Sequence, residues 1–220
     1  MNGYRFACLI LFGLSAATAE VSAAPACVAE SGARRAVLLE LYTSEGCDSC
    51  PPADRRLSQF KSRIDSKGPV VPLAFHVDYW DRLGWVDRFA SPLHTRRQYA
   101  MAALAKSTLV YTPQFLRNGR DWRSAASPFD GVADARPGAR IVLDLGAPTG
   151  RDLTIGGEVS VPATNEAVEV WLALYENNLE SQVRAGDNAG KTLWHHIVVR
   201  CLIGPHVCPN RGDGAADAIA

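Results

Sequence analysis

Apolar and polar positions change rhythm along the chain. Residues Ala36-Val37-Leu38-Leu39-Glu40-Leu41-Tyr42 and 70–77 form nearly continuous apolar runs, the pattern of strands buried on both faces. Between them Ala53, Leu57, Phe60 and Ile64 recur every three or four residues, which lines one face of a helix. Gly68-Pro69 ends that helix. Residues 93–106 are alanine-rich and predict a second helix. Residues 114–117 predict a short strand, and Asn118-Gly119 after it signals a two-residue hairpin. Residues 127–135 suggest one short helix. Beyond Pro137-Gly138 the period falls to two. Residues 140–145 and 152–161, part of 169–175, and 194–203 predict antiparallel strands with Gly, Pro and Asn turns between them. The segment 76–92 has no period. It is rich in aromatics and carboxylates and predicts an ordered loop of the kind that carries function.

Composition adds class and compartment. The 220 residues carry 23 basic and 23 acidic side chains, with 47% hydrophobic and 21% charged residues. That is globular composition, not disorder, and it offers no electrostatic footprint for nucleic acid or anionic lipid. Residues 1–24 read as a signal peptide. Arg5 is followed by the apolar stretch 6–14, and Ala17-Thr18-Ala19 and Ser22-Ala23-Ala24 are small-residue cleavage sites. The apolar stretch is too short to span a bilayer comfortably, so no stable membrane span is expected once it is removed. A lipoprotein anchor at Cys27 is disfavoured by the preceding Ala24-Pro25-Ala26. The expected location is therefore periplasmic or secreted. Export exposes the cysteines to oxidation. Five remain after residue 24, namely Cys27, Cys47, Cys50, Cys201 and Cys208, so at least one lacks an intramolecular partner.

The strongest chemical signal is Cys47-Asp48-Ser49-Cys50, placed between a buried strand and a helix. A strand-to-helix turn should point both sulfurs outward at the carboxyl edge of the sheet. A helix start favours thiolate over thiol, and the short ring can open and close without unfolding a domain. Glu45, Asp48 and the prolines Pro51 and Pro52 oppose that bias, so only mild acidification of Cys47 is expected. A structural disulfide and half of a zinc site are the competing readings. Zinc is disfavoured because Cys201 and Cys208 have six residues between them and lie in another unit. No metal and no cofactor is expected.

The order strand, Cys-x-x-Cys, helix, strand, helix, Thr112-Pro113, strand, hairpin resembles the thioredoxin fold. In that fold the proline is cis and packs against the cysteine pair, with its backbone open to a substrate strand. The segments 39–54, 74–81 with Leu83-Gly84-Trp85, Arg97-Gln98 and 111–114 resemble the signature of an exported bacterial family, the domain of unknown function 1223 family. Gly186-Asp187-Asn188-Ala189-Gly190 with Leu193, His195 and Val198-Val199-Arg200 also fits it. The resemblance implies an α/β protein: a thioredoxin-like domain over residues 34–136 with the aromatic loop 76–92 inserted, then a smaller antiparallel, sandwich-like β-rich unit over residues 139–208. Further β sequence is expected after Arg200, where a Gly/Ala/Asp tail follows, so the second unit reads as incomplete and 209–220 as a frayed tail.

The function expected on these grounds is thiol–disulfide exchange with a protein or small thiol or disulfide substrate. Cys47 attacks, Cys50 resolves, and Thr112 and Pro113 shape the groove. His76, Asp78 and Trp80 follow the second strand and should share its rim with Cys47. His76 is a candidate proton carrier, with a buried structural histidine as the equal alternative. His195 and His196 point to opposite faces of a strand and cannot easily share a metal with Asp187, so structural roles are expected. A Cys201–Cys208 bridge across the Gly204-Pro205 turn is also open. The rival function is a binding protein in which Cys47–Cys50 is only a staple.

Overall fold

The structure, a computed structural model, describes residues 27–32, 35–61, 70–123, 138–161, 168–208 and 217–219. The signal peptide, the helix end expected at Gly68-Pro69 and the short helix expected at 127–135 lie outside them. In chain order the elements are β1 (Cys27–Glu30), β2 (Val37–Thr43), α1 (Cys50–Ser58), β3 (Val70–His76), α2 (Pro92–Leu104), β4 (Gln114–Arg117) and β5 (Arg120–Asp121). There follow β6 (Arg140–Leu145), β7 (Ile155–Ser160), β8 (Val168–Glu176), β9 (Leu179–Gln182), β10 (Thr192–His195), β11 (Val198–Cys208) and β12 (Asp217–Ile219). The fold is mixed α/β and mostly strand.

The two unbroken apolar runs form the centre of a six-stranded sheet of order β5-β4-β2-β3-β11-β8. β2 and β3 are parallel, from Val37 opposite Val70 to Thr43 opposite His76. Glu40 and Tyr42 of β2 face α2: Arg97 binds Glu40, Tyr42 stacks on Phe75, and Phe75 meets His94. Strand alternation then sends Leu39 and Leu41 to the other face, where both are fully buried. Each such side chain contributes about 1.5–3 kcal/mol by leaving water. The hairpin at Asn118-Gly119 forms as expected, with both residues at positive φ (49° and 75°), as a primed turn requires. α2 begins at Ser91, whose hydroxyl accepts from Leu93 N, with Pro92 in the first turn.

The helical pattern after the cysteine pair is interrupted by a turn at 59–60, with Lys61 helical again, and its expected continuation through Ile64 lies outside the described residues. α1 stops at Ser58, and Phe60, though buried, sits in the turn beyond it, its N–H donating to Leu57 O.

The second half does not stand apart. β11 joins β3 in parallel at Val198–Ala74, and β8 pairs antiparallel with β11. Strands on both sides of residue 137 thus share one sheet. The remaining strands make an antiparallel sheet of order β1-β6-β7-β12 and a β9–β10 ribbon. Residues 217–219, expected in a frayed tail, pair with β7 as β12.

Cys201 and Cys208 lie on the same strand, opposite Leu174 and Val168 of β8. Gly204-Pro205 is an irregularity within that strand, not a turn. At about 3.3 Å per residue the two are on the order of 20 Å apart, far beyond disulfide reach. Cys201 is a free exposed thiol, as is Cys27, so the bridge left open from the sequence does not form.

Candidate functional site at the Cys47–Cys50 disulfide

β2 ends at Thr43, and the chain turns tightly into α1. Ser44 Oγ accepts from Gly46 N (3.1 Å), Cys47 N–H donates to Ser44 O (3.2 Å), and Cys50 N–H donates to Cys47 O (3.2 Å). The turn sets Cys47 and Cys50 with Cα atoms 5.4 Å apart, and they are disulfide-bonded. Pro51 and Pro52 occupy the first helical turn, where a missing N–H costs nothing.

The expected outward-facing sulfurs are not found: both cysteines are 0% exposed. The aromatic loop and the second half of the chain cover the rim. Trp80 packs on Gly46 so closely that an added Cβ would meet Trp80 Cβ at 3.2 Å. The Trp80 indole N–H donates to Thr112 Oγ1 (2.7 Å), and the Thr112–Pro113 bond is cis. From the far side Asn188 Nδ2 donates to both Glu45 O (2.8 Å) and Cys47 O (2.9 Å). A cleft of about 650 Å³ opens beside the pair, lined by Ser49, Pro52, Arg56, Pro113, Phe115 and Trp122 among others. The Arg56 guanidinium lies over the Trp122 ring at 4.5 Å.

Beneath the disulfide sits a buried cluster of two histidines and three carboxyls. His76 Nδ1 and Asp87 Oδ2 are 2.6 Å apart. His195 Nε2 meets Glu45 Oε1 at 3.1 Å, while its Nδ1 lies 4.0 Å from Asp54 Oδ2. Trp85 Nε1 donates to Glu45 Oε2 (2.7 Å). The two imidazole rings pack edge to face at 5.0 Å, with Phe89 against both.

Burial raises the carboxyls and lowers the imidazoles, and each partner then decides the outcome. For Glu45, burial is outweighed by the bonds from His195 and Trp85, which hold it below the usual carboxylate range. Asp87 is likewise held low, against burial, by the attraction and hydrogen bond of His76. His76 is pushed up, against burial, by Asp87 above all. At Asp54 burial prevails over His76 and His195, so its carboxyl is raised toward the protonated form. His94, buried and bonded to His76 O, is pushed down.

The structure therefore gathers Cys47, Cys50, Trp80, Thr112, Pro113 and His76 at one end of the sheet. Asp78 is turned away: its carboxylate accepts from Thr95 Oγ1 of α2 (2.5 Å). Asp187 is exposed, and His196 accepts from Asn178 N. Glu45 faces the cluster as a paired carboxylate. Asp54, Asp87, Asn188 and His195 were not singled out as site residues from the sequence. The available signals were the four-residue step from Cys50 to Asp54 and the family segment that contains Asn188 and His195. Among the described residues no group of three or more His, Cys, Asp and Glu is arranged to hold a metal ion, and no helix is long and apolar enough to cross a membrane.

Comparison with known proteins follows the same outline. No curated protein matches the chain. The crystal structure of protein AGR_C_4864 from Agrobacterium tumefaciens is 27% identical, covering 86% of this chain and 79% of that one, with a TM-score of 0.56. HBP35 of Porphyromonas gingivalis is 19% identical and superposes with a TM-score of 0.61 over 86% of this chain and 64% of that one, a likeness of fold alone. The family model described as protein of unknown function (DUF1223) matches residues 38–215, from β2 through β11 and across the whole site, and the chain belongs to that family.

Proposed function

We infer that the chain is an exported, thioredoxin-like thiol–disulfide oxidoreductase working through Cys47 and Cys50. The observation that carries this reading is the cleft. A Cys-x-x-Cys disulfide at a strand-to-helix junction lies beside an aromatic-walled groove that Ser49 and Pro52 share with Pro113, and an extended substrate segment has a place to lie. A substrate thiolate attacks Cys47 Sγ, the Cys47–Cys50 bond breaks, and Cys50 leaves as thiolate. A second substrate thiol then releases the mixed disulfide, so the substrate dithiol is oxidised and the pair reduced. Oxidation of the pair by a substrate disulfide is the reverse. The leader-like residues 1–24 support a periplasmic or secreted location, where such exchange has substrates.

The test is trapping. With Cys50→Ser, mixed disulfides on Cys47 accumulate; with Cys47→Ser they do not. Equal trapping by both variants, or none, removes the reading. The full burial of both cysteines favours a second reading, a structural staple. A staple has a reduction potential below about −300 mV, so equilibration against glutathione separates the two.

A further inference from the structure

The cleft beside the disulfide carries charge of one sign. Arg56 and Arg123 line it, and among the described residues that line it none is Asp or Glu, in a chain whose basic and acidic side chains balance at 23 each. Aromatic rings hold both guanidinium groups. Arg56 lies over Trp122 at 4.5 Å and over Phe115 at 5.5 Å, and Arg123 lies over Tyr111 at 5.0 Å. Stacking uses the face of a guanidinium and keeps its charge and its in-plane N–H fork, which matches a carboxylate. Arg123 is fixed further through Nε, which donates to Asp121 Oδ2 (2.6 Å) and Tyr111 Oη (3.0 Å), while 62% of its side chain stays exposed. Asp121 also accepts from Tyr111 and Gln114, so its carboxylate is committed to its own neighbours.

Distance along the cleft then sets a spacing. Ser49 marks the cysteine end, with its Oγ 3.4 Å from Cys47 Sγ. From Ser49 to Arg56 the chain advances about 10 Å along α1, at about 1.5 Å per residue. An extended peptide covers that distance in about three residues. Asp48, exposed beside Ser49, puts negative charge at the cysteine end and repels a carboxylate there. Charge therefore changes sign along the cleft, from Asp48 near the disulfide to Arg56 further down α1.

Resting on the oxidoreductase reading, we propose that the cleft selects protein substrates by charge. Its occupant is an extended segment whose cysteine sits at Cys47 and whose Asp or Glu, about three residues away, meets Arg56 and Arg123. The aromatic walls exclude water along that stretch, which strengthens the attraction between guanidinium and carboxylate. Leu109, which lines the same cleft and is 57% exposed, offers apolar surface for the segment to cover. Both guanidinium groups are already stacked before the segment arrives, so little side-chain freedom is lost when the carboxylate docks.

The test compares peptides. Short Gly/Ser peptides carry one cysteine, activated as its thiopyridyl disulfide, and a Glu, Gln or Lys at that spacing on one side or the other. The protein is the full chain with Cys50→Ser and with Cys8, Cys27, Cys201 and Cys208 replaced by serine, which leaves the thiol of Cys47. Its thiolate attacks the peptide sulfur, the Cys47–peptide disulfide forms, and thiopyridone leaves and is read by its absorbance. On one of the two sides the Glu peptide is expected to react about tenfold faster than the Gln peptide in low salt, with the Lys peptide slowest and the differences shrinking in high salt. Arg56→Glu is expected to reverse the order, with Lys ahead of Glu, and Arg123→Gln to compress it. Each readout is a ratio of rates on the same protein, so a loss of folded protein cancels. Equal rates for the three peptides overturn the proposal, as does an order unchanged in both variants. Reaction with dithiodipyridine but with no peptide overturns it as well, and all three results leave the oxidoreductase reading standing. No reaction of Cys47 with any peptide or with dithiodipyridine overturns that reading, and this proposal with it.

Discussion

The two larger sheets of this chain are opposite in character. β2 and β3, at the centre of the six-stranded sheet, are buried at nearly every position. In the sheet β1-β6-β7-β12, all of β1 is exposed, β6 is half-buried at best, and among the described side chains of β7 Val159 is buried. Ion pairs follow the same division. Under the disulfide they are dry, as in His76–Asp87 at 0% exposure on both sides, whereas Arg140–Glu30 is about half exposed (52% and 54%). Charge inside a dry site is strongly coupled and sets protonation, while charge on a wet sheet is screened. The candidate site lies in the first environment, where the protein and not water sets the charge state of its buried groups.

Breaking one partner in each environment should expose the difference. Asp87→Asn leaves His76 buried and uncompensated, and is expected to destabilise the fold by about 3–5 kcal/mol in denaturant unfolding. Its pH dependence has a definite sign. Asp87 is lowered from 3.8, so its contribution is complete above that value and is lost as pH falls through the lower folded one. His76 is raised from 6.5, so its contribution is complete below that value and is lost as pH rises through the higher folded one. The gap between parent and variant should therefore be widest between pH 3.8 and 6.5 and narrow on both sides. A gap independent of pH would mean that the pair is not ionised.

Next in size is packing. Leu41→Ala, at a fully buried position, is expected to cost about 2–5 kcal/mol by large-to-small truncation. Ile141→Ala in β6, 36% exposed, should cost clearly less in the same assay. Equal losses would make the second sheet as tightly packed as the first. Smallest is Arg140→Ala, which removes contacts to Glu30 and Glu158 and should change stability by less than about 1 kcal/mol, less still in high salt. A larger loss would show that the antiparallel sheet depends on its charges.

What the sequence made legible follows from the range of the interactions. β2, β3, α2 and the Asn118-Gly119 hairpin rest on neighbours in the chain, and period and turn chemistry specify them. The cysteine pair is legible because its ring is local. His195 is different. The sequence places it on a strand beside His196, but its partner Glu45 is 150 residues away, and no periodicity encodes that pairing. The parallel step of β11 onto β3 rests on one register pair, Val198 with Ala74, and alternation alone could not distinguish it from strands of a separate unit. Asp87 lies in an aperiodic loop, where residue type is visible and direction is not. The burial of the sulfurs was missed for a related reason: a strand-to-helix turn predicts exposure, and the covering Trp80 and Asn188 come from outside it.

Asn188 and His195 also bear on how the site comes into being. Both are made long after the cysteines, since synthesis runs from the first residue to the last. When β2 and α1 emerge, the Glu45 carboxylate has no cation and the carbonyls of Glu45 and Cys47 have no Asn188 amide. Domains fold as their segments become available, so the cysteine pair passes through a period in which Asn188 and His195 do not yet cover it. A disulfide made in that period is made on an accessible pair, and the β9–β10 ribbon with the loop that carries Asn188 then closes over it.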